Sequence, residues 1–99
     1  MSTNQEVYNQ LMIILREIDK NYNYAKYLYV EIDKLILALP DSEEKVKAHK
    51  IVSKVVEEIE SAKKENISSD ILISMAKNSI KNTLPELIIL FEKKREMDI

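Results

Sequence analysis

The sequence predicts an all-α fold, an antiparallel up-down four-helix bundle in a single domain that covers residues 1–99. The chain contains no glycine and two prolines, whereas tight β-hairpins depend on glycine. Apolar residues recur at helical spacing along most of the chain. Short polar segments with capping residues divide this pattern into helices, and such short connections make consecutive helices antiparallel neighbours.

The first predicted helix begins at a capping box formed by Thr3 and Glu6 and ends near Asn21. Asparagine tolerates the left-handed conformation found at helix C-termini, and no glycine is present to adopt it. Asn23 is the predicted cap of the second helix, and a continuous bent helix through this point is the alternative. The apolar stripe of the first helix consists of Val7, Tyr8, Leu11, Ile14, Leu15 and Ile18.

Pro40 ends the second predicted helix, because proline disfavours helical backbone in the residue before it. Asp41 and Glu44 form a second capping box that opens the third helix, which is expected to end near Asn66. The predicted core stripes are Ala25, Leu28, Tyr29, Ile32, Leu35, Ile36 and Leu39 on the second helix, and Ala48, Ile51, Val52, Val55, Ile59 and Ala62 on the third.

Ser68 is the predicted cap of the fourth helix, and Ile67 with Leu72 has the spacing of a hydrophobic staple. The inner face of this helix is Ile73, Ala76, Ile80 and Leu84.

Pro85 predicts a kink or a break at residues 82–85, because proline inside a helix removes one hydrogen bond and clashes with the preceding turn. Thr83 and Glu86 have the spacing of a capping box, with Pro85 in its first turn. A break here would give a fifth helix that ends near Lys94.

The residue types predict a protein that is not an enzyme and holds no metal and no cofactor. Without glycine there is no phosphate loop and no dinucleotide-binding turn, and without cysteine there is no thiol chemistry. The single histidine, His49, has no carboxylate three residues before it, so the metal-binding pattern of di-iron bundles is missing. We interpret it as a solvated residue on the flank of the third helix.

The N-terminal segment has no basic region followed by an apolar region, so we expect no secretory signal. The longest apolar run, Leu87 to Phe91, is far shorter than the roughly 20 residues that span a bilayer. We therefore expect a cytoplasmic protein.

Nucleic-acid binding is disfavoured by the balance of charge. Lys47, Lys50 and Lys54 share one side of the third helix, but 15 basic residues stand against 17 acidic ones. Glu58 is also placed to pair with Lys54. These three lysines are the candidate nucleic-acid contacts if the interpretation is wrong.

The chain has more apolar residues than one stripe per helix requires. On the second helix, Tyr27, Val30 and Leu37 project away from the predicted core. In the run 87–91 apolar residues cover nearly every direction, so Ile89 or Leu90 must face outward. A wide core or a folded-back final helix would cover these residues; otherwise they form a homodimer seam or a partner-binding surface. The candidate contact residues are Tyr27, Val30, Leu37, Leu87, Ile89, Leu90 and Phe91.

The segments Glu6-Val7-Tyr8-Asn9 and Asn66-Ile67-Ser68-Ser69, together with the overall helix layout, give the chain a family resemblance. It resembles the immunity proteins of pediocin-like (class IIa) bacteriocins. The resemblance implies an antiparallel four-helix bundle that acts inside the producing cell and protects it from its own bacteriocin. It also implies binding to the membrane sugar permease that the bacteriocin uses as receptor. The part after Asn66, especially Leu87 to Phe91, would then carry recognition.

Our leading hypothesis is a non-enzymatic bacteriocin immunity protein with a protein partner and no small-molecule substrate. The alternative is a small helical adaptor, or a subunit of a larger complex, that docks through the second helix. A regulator that binds nucleic acid through Lys47, Lys50 and Lys54 is the third hypothesis.

Overall fold

The computed structural model describes residues 2–93, and within this range the chain forms four α-helices and no strand. They are α1 (Asn4–Glu17), α2 (Tyr22–Leu37), α3 (Glu43–Lys64) and α4 (Ser69–Glu92). α1 packs against α2 and α4, and α3 packs against the same two helices, so α1 and α3 lie on one diagonal and α2 and α4 on the other. This arrangement confirms the predicted four-helix bundle. We call the end that holds the α1–α2 and α3–α4 connections the upper end.

The capping residues confirm two predicted helix starts and shift two others by one or two residues. Thr3 caps α1, where its hydroxyl accepts a hydrogen bond from the amide of Glu6 at 3.1 Å. Asn21 caps the start of α2 through a 3.2 Å bond to the amide of Tyr24. The prediction that Asn21 ends α1 and Asn23 caps α2 was therefore wrong, because the Asn21 side chain already satisfies an unpaired amide of the first turn.

Ser42, and not Asp41, caps α3 by accepting a hydrogen bond from the amide of Lys45 at 3.1 Å. Asp41 lies 3.3 Å from the ammonium of Lys45, which also donates to the carbonyl of Leu39 at 2.9 Å. After α3, Asn66 has a φ of 56°, the left-handed conformation predicted for it at this helix end.

α4 is a single helix from Ser69 to Glu92 with Pro85 inside it, so the predicted break and fifth helix are wrong. The expected end near Lys94 lies outside the described residues. The hydroxyl of Thr83 does not cap a new helix. It donates within α4 to the carbonyls of Ser79 at 3.1 Å and Ile80 at 3.0 Å.

Burial on both sides of Pro85 explains why α4 continues through it. Leu84 lies just before the proline, Leu87 and Phe91 lie after it, and all three are fully buried. Burying one such side chain contributes about 1.5–3 kcal/mol, so together they outweigh the roughly 3 kcal/mol that an interior proline costs. A break would withdraw at least one of them from the core.

The core follows the predicted stripes, with Leu15 and Ile73 as exceptions that are 44% and 42% exposed. Tyr29 is buried as predicted, and its hydroxyl lies 2.9 Å from the hydroxyl of Thr83 on the diagonally opposite helix. The fully buried larger side chains are Val7, Leu11, Ile14, Ile18, Ile32, Ile36, Val52, Ile80, Leu84, Leu87 and Phe91.

Candidate functional site

Two of the exposed residues predicted on the second helix, Val30 and Leu37, lie along the groove between α2 and α3. Tyr27, Val30 and Leu37 are 61%, 47% and 50% exposed, so the outward direction predicted for them is confirmed. Val30 shares a small cavity with Val56 of α3, and Leu37 shares a larger hollow with Val46 of α3. We call Val30, Leu37, Val46 and Val56 the α2–α3 apolar face; Tyr27 lines neither hollow.

Sequence reasoning missed the α3 half of this face. Val46 and Val56 are ten residues apart, on a line that passes through His49 and Ser53 beside the core stripe of α3. The spacing of positions 46, 49, 53 and 56 could have predicted this second exposed line, because positions three, four and seven apart share one side of a helix.

A chain of three polar side chains crosses the middle of the α2–α3 apolar face. Nδ1 of His49 lies 3.2 Å from a carboxylate oxygen of Asp33 on α2, and Nε2 lies 3.4 Å from the hydroxyl of Ser53. His49 is therefore half-buried and bridges two helices, whereas the sequence predicted a solvated flank residue. Its ring links α2 to α3.

Asp33, His49 and Ser53 stand in the order of orienting acid, base and nucleophile, but the surrounding backbone does not suit acyl transfer. Ser53 lies in the middle of α3, where backbone amides bond within the helix and cannot stabilise an oxyanion. The arrangement therefore suits a polar link between helices better than a nucleophilic site.

The upper end of the α2–α3 apolar face carries two lysines. Lys63 lies beside Lys26, and this neighbouring charge together with partial burial lowers the pKa of Lys26. Glu60 lies 3.4 Å from the ammonium of Lys63. The negative charge of Glu60 partly offsets this effect by raising the pKa of Lys26. The face thus has an apolar centre and a charged upper border.

The contact residues predicted on the last helix do not share one environment. Leu87 and Phe91 are fully buried, so their prediction as partner contacts is corrected: both are core residues of the folded bundle. Leu90 is half-buried and packs against the core, whereas Ile89 is 67% exposed. Of the predicted run, Ile89 offers the most accessible surface.

The predicted contacts on α2 and α4 also point in different directions. α2 and α4 are diagonal in the bundle, so their outward sides face away from each other. A single small partner cannot cover Tyr27 and Ile89 together. The predicted set is therefore two surfaces.

The upper half of α4, residues 69–79, carries exposed apolar side chains that the sequence had placed partly in the core. Ile71, Ile73 and Met75 are 56%, 42% and 46% exposed. Asp19, which follows α1 closely, pairs with Lys77 at 3.5 Å and Lys81 at 2.9 Å. These two ion pairs join the end of the α1 side to the middle of α4.

The three lysines predicted as nucleic-acid contacts lie among carboxylates. Lys47 pairs with Glu43 at 3.7 Å. Lys50 and Lys54 line a groove that also contains Glu58 and Glu86. Glu58 accepts a hydrogen bond from Ser79 at 3.0 Å in place of the predicted pair with Lys54. These mixed charges make a poor footprint for a phosphate backbone.

Residues 2–93 also bear on metal binding and membrane insertion. No group of three or more histidine, aspartate or glutamate side chains there could hold a metal ion. None of the helices in this range is long and apolar enough to cross a membrane.

The fold and its exposed faces define the class as an antiparallel four-helix bundle with apolar surface on two sides. No family model, curated protein or solved structure matches the chain.

Proposed function

We propose that this chain is a bacteriocin immunity protein that acts by binding and not by catalysis. In this proposal it works on the cytoplasmic side of the membrane, where it binds a sugar permease that carries bound bacteriocin. The observation that supports it is the exposed apolar surface of the upper half of α4, which begins three residues after Asn66. The family that the sequence resembles places recognition in this part of the chain.

The exposure on α4 is more than scattered apolar surface. Ile71 and Met75 are four residues apart and therefore neighbours on one side of the helix. Exposed apolar residues that cluster in this way mark interaction surfaces in soluble proteins. A binding role would use them without change to the core, whereas Leu87 and Phe91 could contact a partner only if the bundle opened.

Expression in bacteriocin-sensitive bacteria tests the proposal. The chain is expressed in a strain that carries the permease, and survival is measured against a panel of pediocin-like bacteriocins. We expect survival to rise for at least one bacteriocin of the panel. Absence of protection across the panel, with the protein shown to be present and folded in the cells, contradicts the proposal.

Matched variants then locate the contact surface. Ile71→Ser with Met75→Ser is expected to remove protection, while Tyr27→Ser with Val30→Ser is expected to retain it. Both pairs replace exposed residues, so neither should unfold the bundle. If the α2 pair removes protection and the α4 pair retains it, the contact surface lies on α2.

The alternative function is a small helical adaptor or subunit that docks through the α2–α3 apolar face. The pairing of Val30 with Val56 and of Leu37 with Val46 favours it, since four exposed aliphatic residues from two helices form a larger target than α2 alone. A second copy of the chain could cover this face as a homodimer. Light scattering measures the oligomeric state of the wild type and of the double variant Tyr27→Ser with Val30→Ser. If both proteins are monomers, the homodimer is ruled out.

A further inference from the structure

A groove lies at the upper end of the bundle, between the last three turns of α3 and the first three turns of α4. It has a volume of about 500 Å³. Its floor contains Ile59, Ala62 and Ala76, each at most 8% exposed. Two of these three are alanines, which leave room for a third element to approach the helix backbones. We call it the α3–α4 groove.

The two walls of the α3–α4 groove differ in chemistry. The α4 wall carries Leu72 and Met75, and the exposed Ile71 adjoins it. The α3 wall carries Glu57, Glu58 and Glu65, with Lys54 at its lower end. Three carboxylates thus oppose one ammonium among the charged residues that line the groove.

The length of the groove fits a helix. Its α3 wall runs from Lys54 to Glu65, eleven residue steps, or about 16 Å of helix. This is three turns of a ligand helix laid along it. An amphipathic helix binds such a groove through apolar side chains at i, i+3, i+4 and i+7.

We propose that the α3–α4 groove binds a basic amphipathic helix of about three turns in a partner protein. The apolar stripe of the ligand packs on Leu72, Met75 and the alanine floor, and its lysine or arginine side chains pair with Glu57, Glu58 and Glu65. This rests on the proposed binding function and gives the chemical class of a segment of the partner. The contact with three carboxylates disfavours acidic helices, because like charges across an interface are repulsive.

Glu58 is partly prearranged for this role. One of its carboxylate oxygens accepts a hydrogen bond from Ser79 at 3.0 Å across the groove, which ties the α3 wall to α4. The carboxylate is thereby held at the groove while its remaining acceptor sites stay available to a cationic ligand. Glu57 and Glu65 are exposed residues that line the same groove.

Purified protein and two synthetic peptides test the proposal by fluorescence anisotropy. The first peptide, of about 14 residues, contains only leucine and lysine, with leucines at i, i+3, i+4 and i+7; in the second, glutamate replaces every lysine. We expect saturable binding of the lysine peptide that weakens as salt rises, and no binding of the glutamate peptide. Binding of both peptides alike, or of neither, overturns the proposal.

Variants of equal charge change separate the groove from general attraction to an acidic protein. Glu57→Gln, Glu58→Gln and Glu65→Gln in one chain should weaken the lysine peptide about tenfold or more. The control chain carries Glu31→Gln, Asp41→Asn and Glu43→Gln, which lie away from the groove, and should bind nearly as the wild type does. Equal weakening in both chains contradicts a groove site.

A neutral polar side chain within the apolar wall provides an independent check. Met75→Gln should also weaken the lysine peptide if the ligand packs on this wall, because it removes apolar contact without changing the charge, and circular dichroism establishes that the variant folds. Unchanged binding by folded Met75→Gln overturns the proposed ligand position. These measurements use purified protein, so their failure is distinct from a failure to protect cells against bacteriocin.

Discussion

The two halves of α4 have similar apolar content and opposite environments. In the lower half, residues 80–92, the side chains of Ile80, Leu84, Leu87 and Phe91 are fully buried. In the upper half, residues 69–79, Ile71, Ile73 and Met75 are each more than 40% exposed. Part of the difference is direction, because Ile71 and Met75 lie on the outward side of α4, as the exposed Ile89 of the lower half does. Ile73 instead has the spacing of the buried stripe and is exposed only in the upper half.

This contrast separates two uses of apolar residues. The lower half stabilises the bundle, and its burial is large enough to keep α4 helical through Pro85. The upper half contributes little to the core and leaves its apolar surface for contacts with other molecules. Substitutions in the two halves should therefore affect different measurements.

The largest expected effect is that of Phe91→Ala in the lower half. We expect the free energy of unfolding to fall by about 3–5 kcal/mol, since the substitution leaves a cavity in the core. Urea unfolding measures it. Ile71→Ala, the matched change in the upper half, should alter the free energy by no more than about 0.5 kcal/mol. Similar losses in both variants would remove the contrast between the two halves.

Tyr29 joins the lower half of α4 from across the bundle, and its ionisation gives a dependence on pH. Burial raises its pKa from 10.0 to about 12. Between these values the unfolded chain has lost the phenol proton that the folded chain keeps. Stability is therefore fully present below pH 10 and falls by about 1.4 kcal/mol for each pH unit up to pH 12.

Tyr29→Phe isolates this contribution, because phenylalanine does not ionise. Urea unfolding of both proteins at pH 7, 10 and 11 should show a steeper loss in the wild type above pH 10. At pH 7 the variant should lose about 1 kcal/mol, the usual contribution of one hydrogen bond. Parallel curves from pH 10 to 11 would contradict the burial of this phenol.

Pro85→Ala sharpens the comparison within the lower half. Alanine restores the backbone amide missing at this position, and an interior proline costs about 3 kcal/mol relative to alanine. Part of this gain is offset because proline also restricts the unfolded chain, by up to about 1 kcal/mol. We therefore expect the variant to be about 2 kcal/mol more stable in urea unfolding. A destabilised variant would show that the fold depends on the proline itself.

Asp19 marks the boundary between the two halves and should give the smallest effect. Its carboxylate accepts a hydrogen bond from Lys81, and this bond, with the charges of Lys81 and Lys77, lowers its pKa. A lowered pKa contributes stability above the ordinary value of 3.8, and that contribution is lost as pH falls through the lowered value.

Asp19→Asn should therefore show a slightly shallower loss of stability on acidification than the wild type. Thermal unfolding followed by circular dichroism from pH 6 to pH 2 measures the difference. Because Asp19 is exposed, the effect should also shrink in high salt. An effect of equal size in high salt would contradict the role of these surface charges.

Local sequence features predicted the four-helix bundle and most of the core, and they left a fifth helix after Pro85 open. The spacing of Val7, Leu11, Ile14 and Ile18 gave the buried side of α1, since helical periodicity brings these residues to one face. The box of Thr3 and Glu6 and the left-handed Asn66 were also predictable, because each depends on residues a few positions away.

Local features failed where two local readings were possible or where a neighbouring helix decided the outcome. Asn21 caps α2, although an asparagine side chain suits either end of a helix. His49 has no partner on its own helix that would predict a bridge, because Asp33 lies on α2, sixteen residues earlier. Val46 and Val56 form an apolar face only together with Val30 and Leu37 of α2, which lie beside them in the folded bundle.

The sequence by itself determined the all-α class and the core side of most helices, because capping chemistry and apolar periodicity act over a few residues. The tertiary structure decided the exceptions to these local patterns. Leu15 and Ile73 have the spacing of a core stripe and are exposed, whereas Leu87 and Phe91, in an apolar run that points in nearly every direction, are fully buried. Burial depends on the element opposite, and that element is encoded elsewhere in the chain.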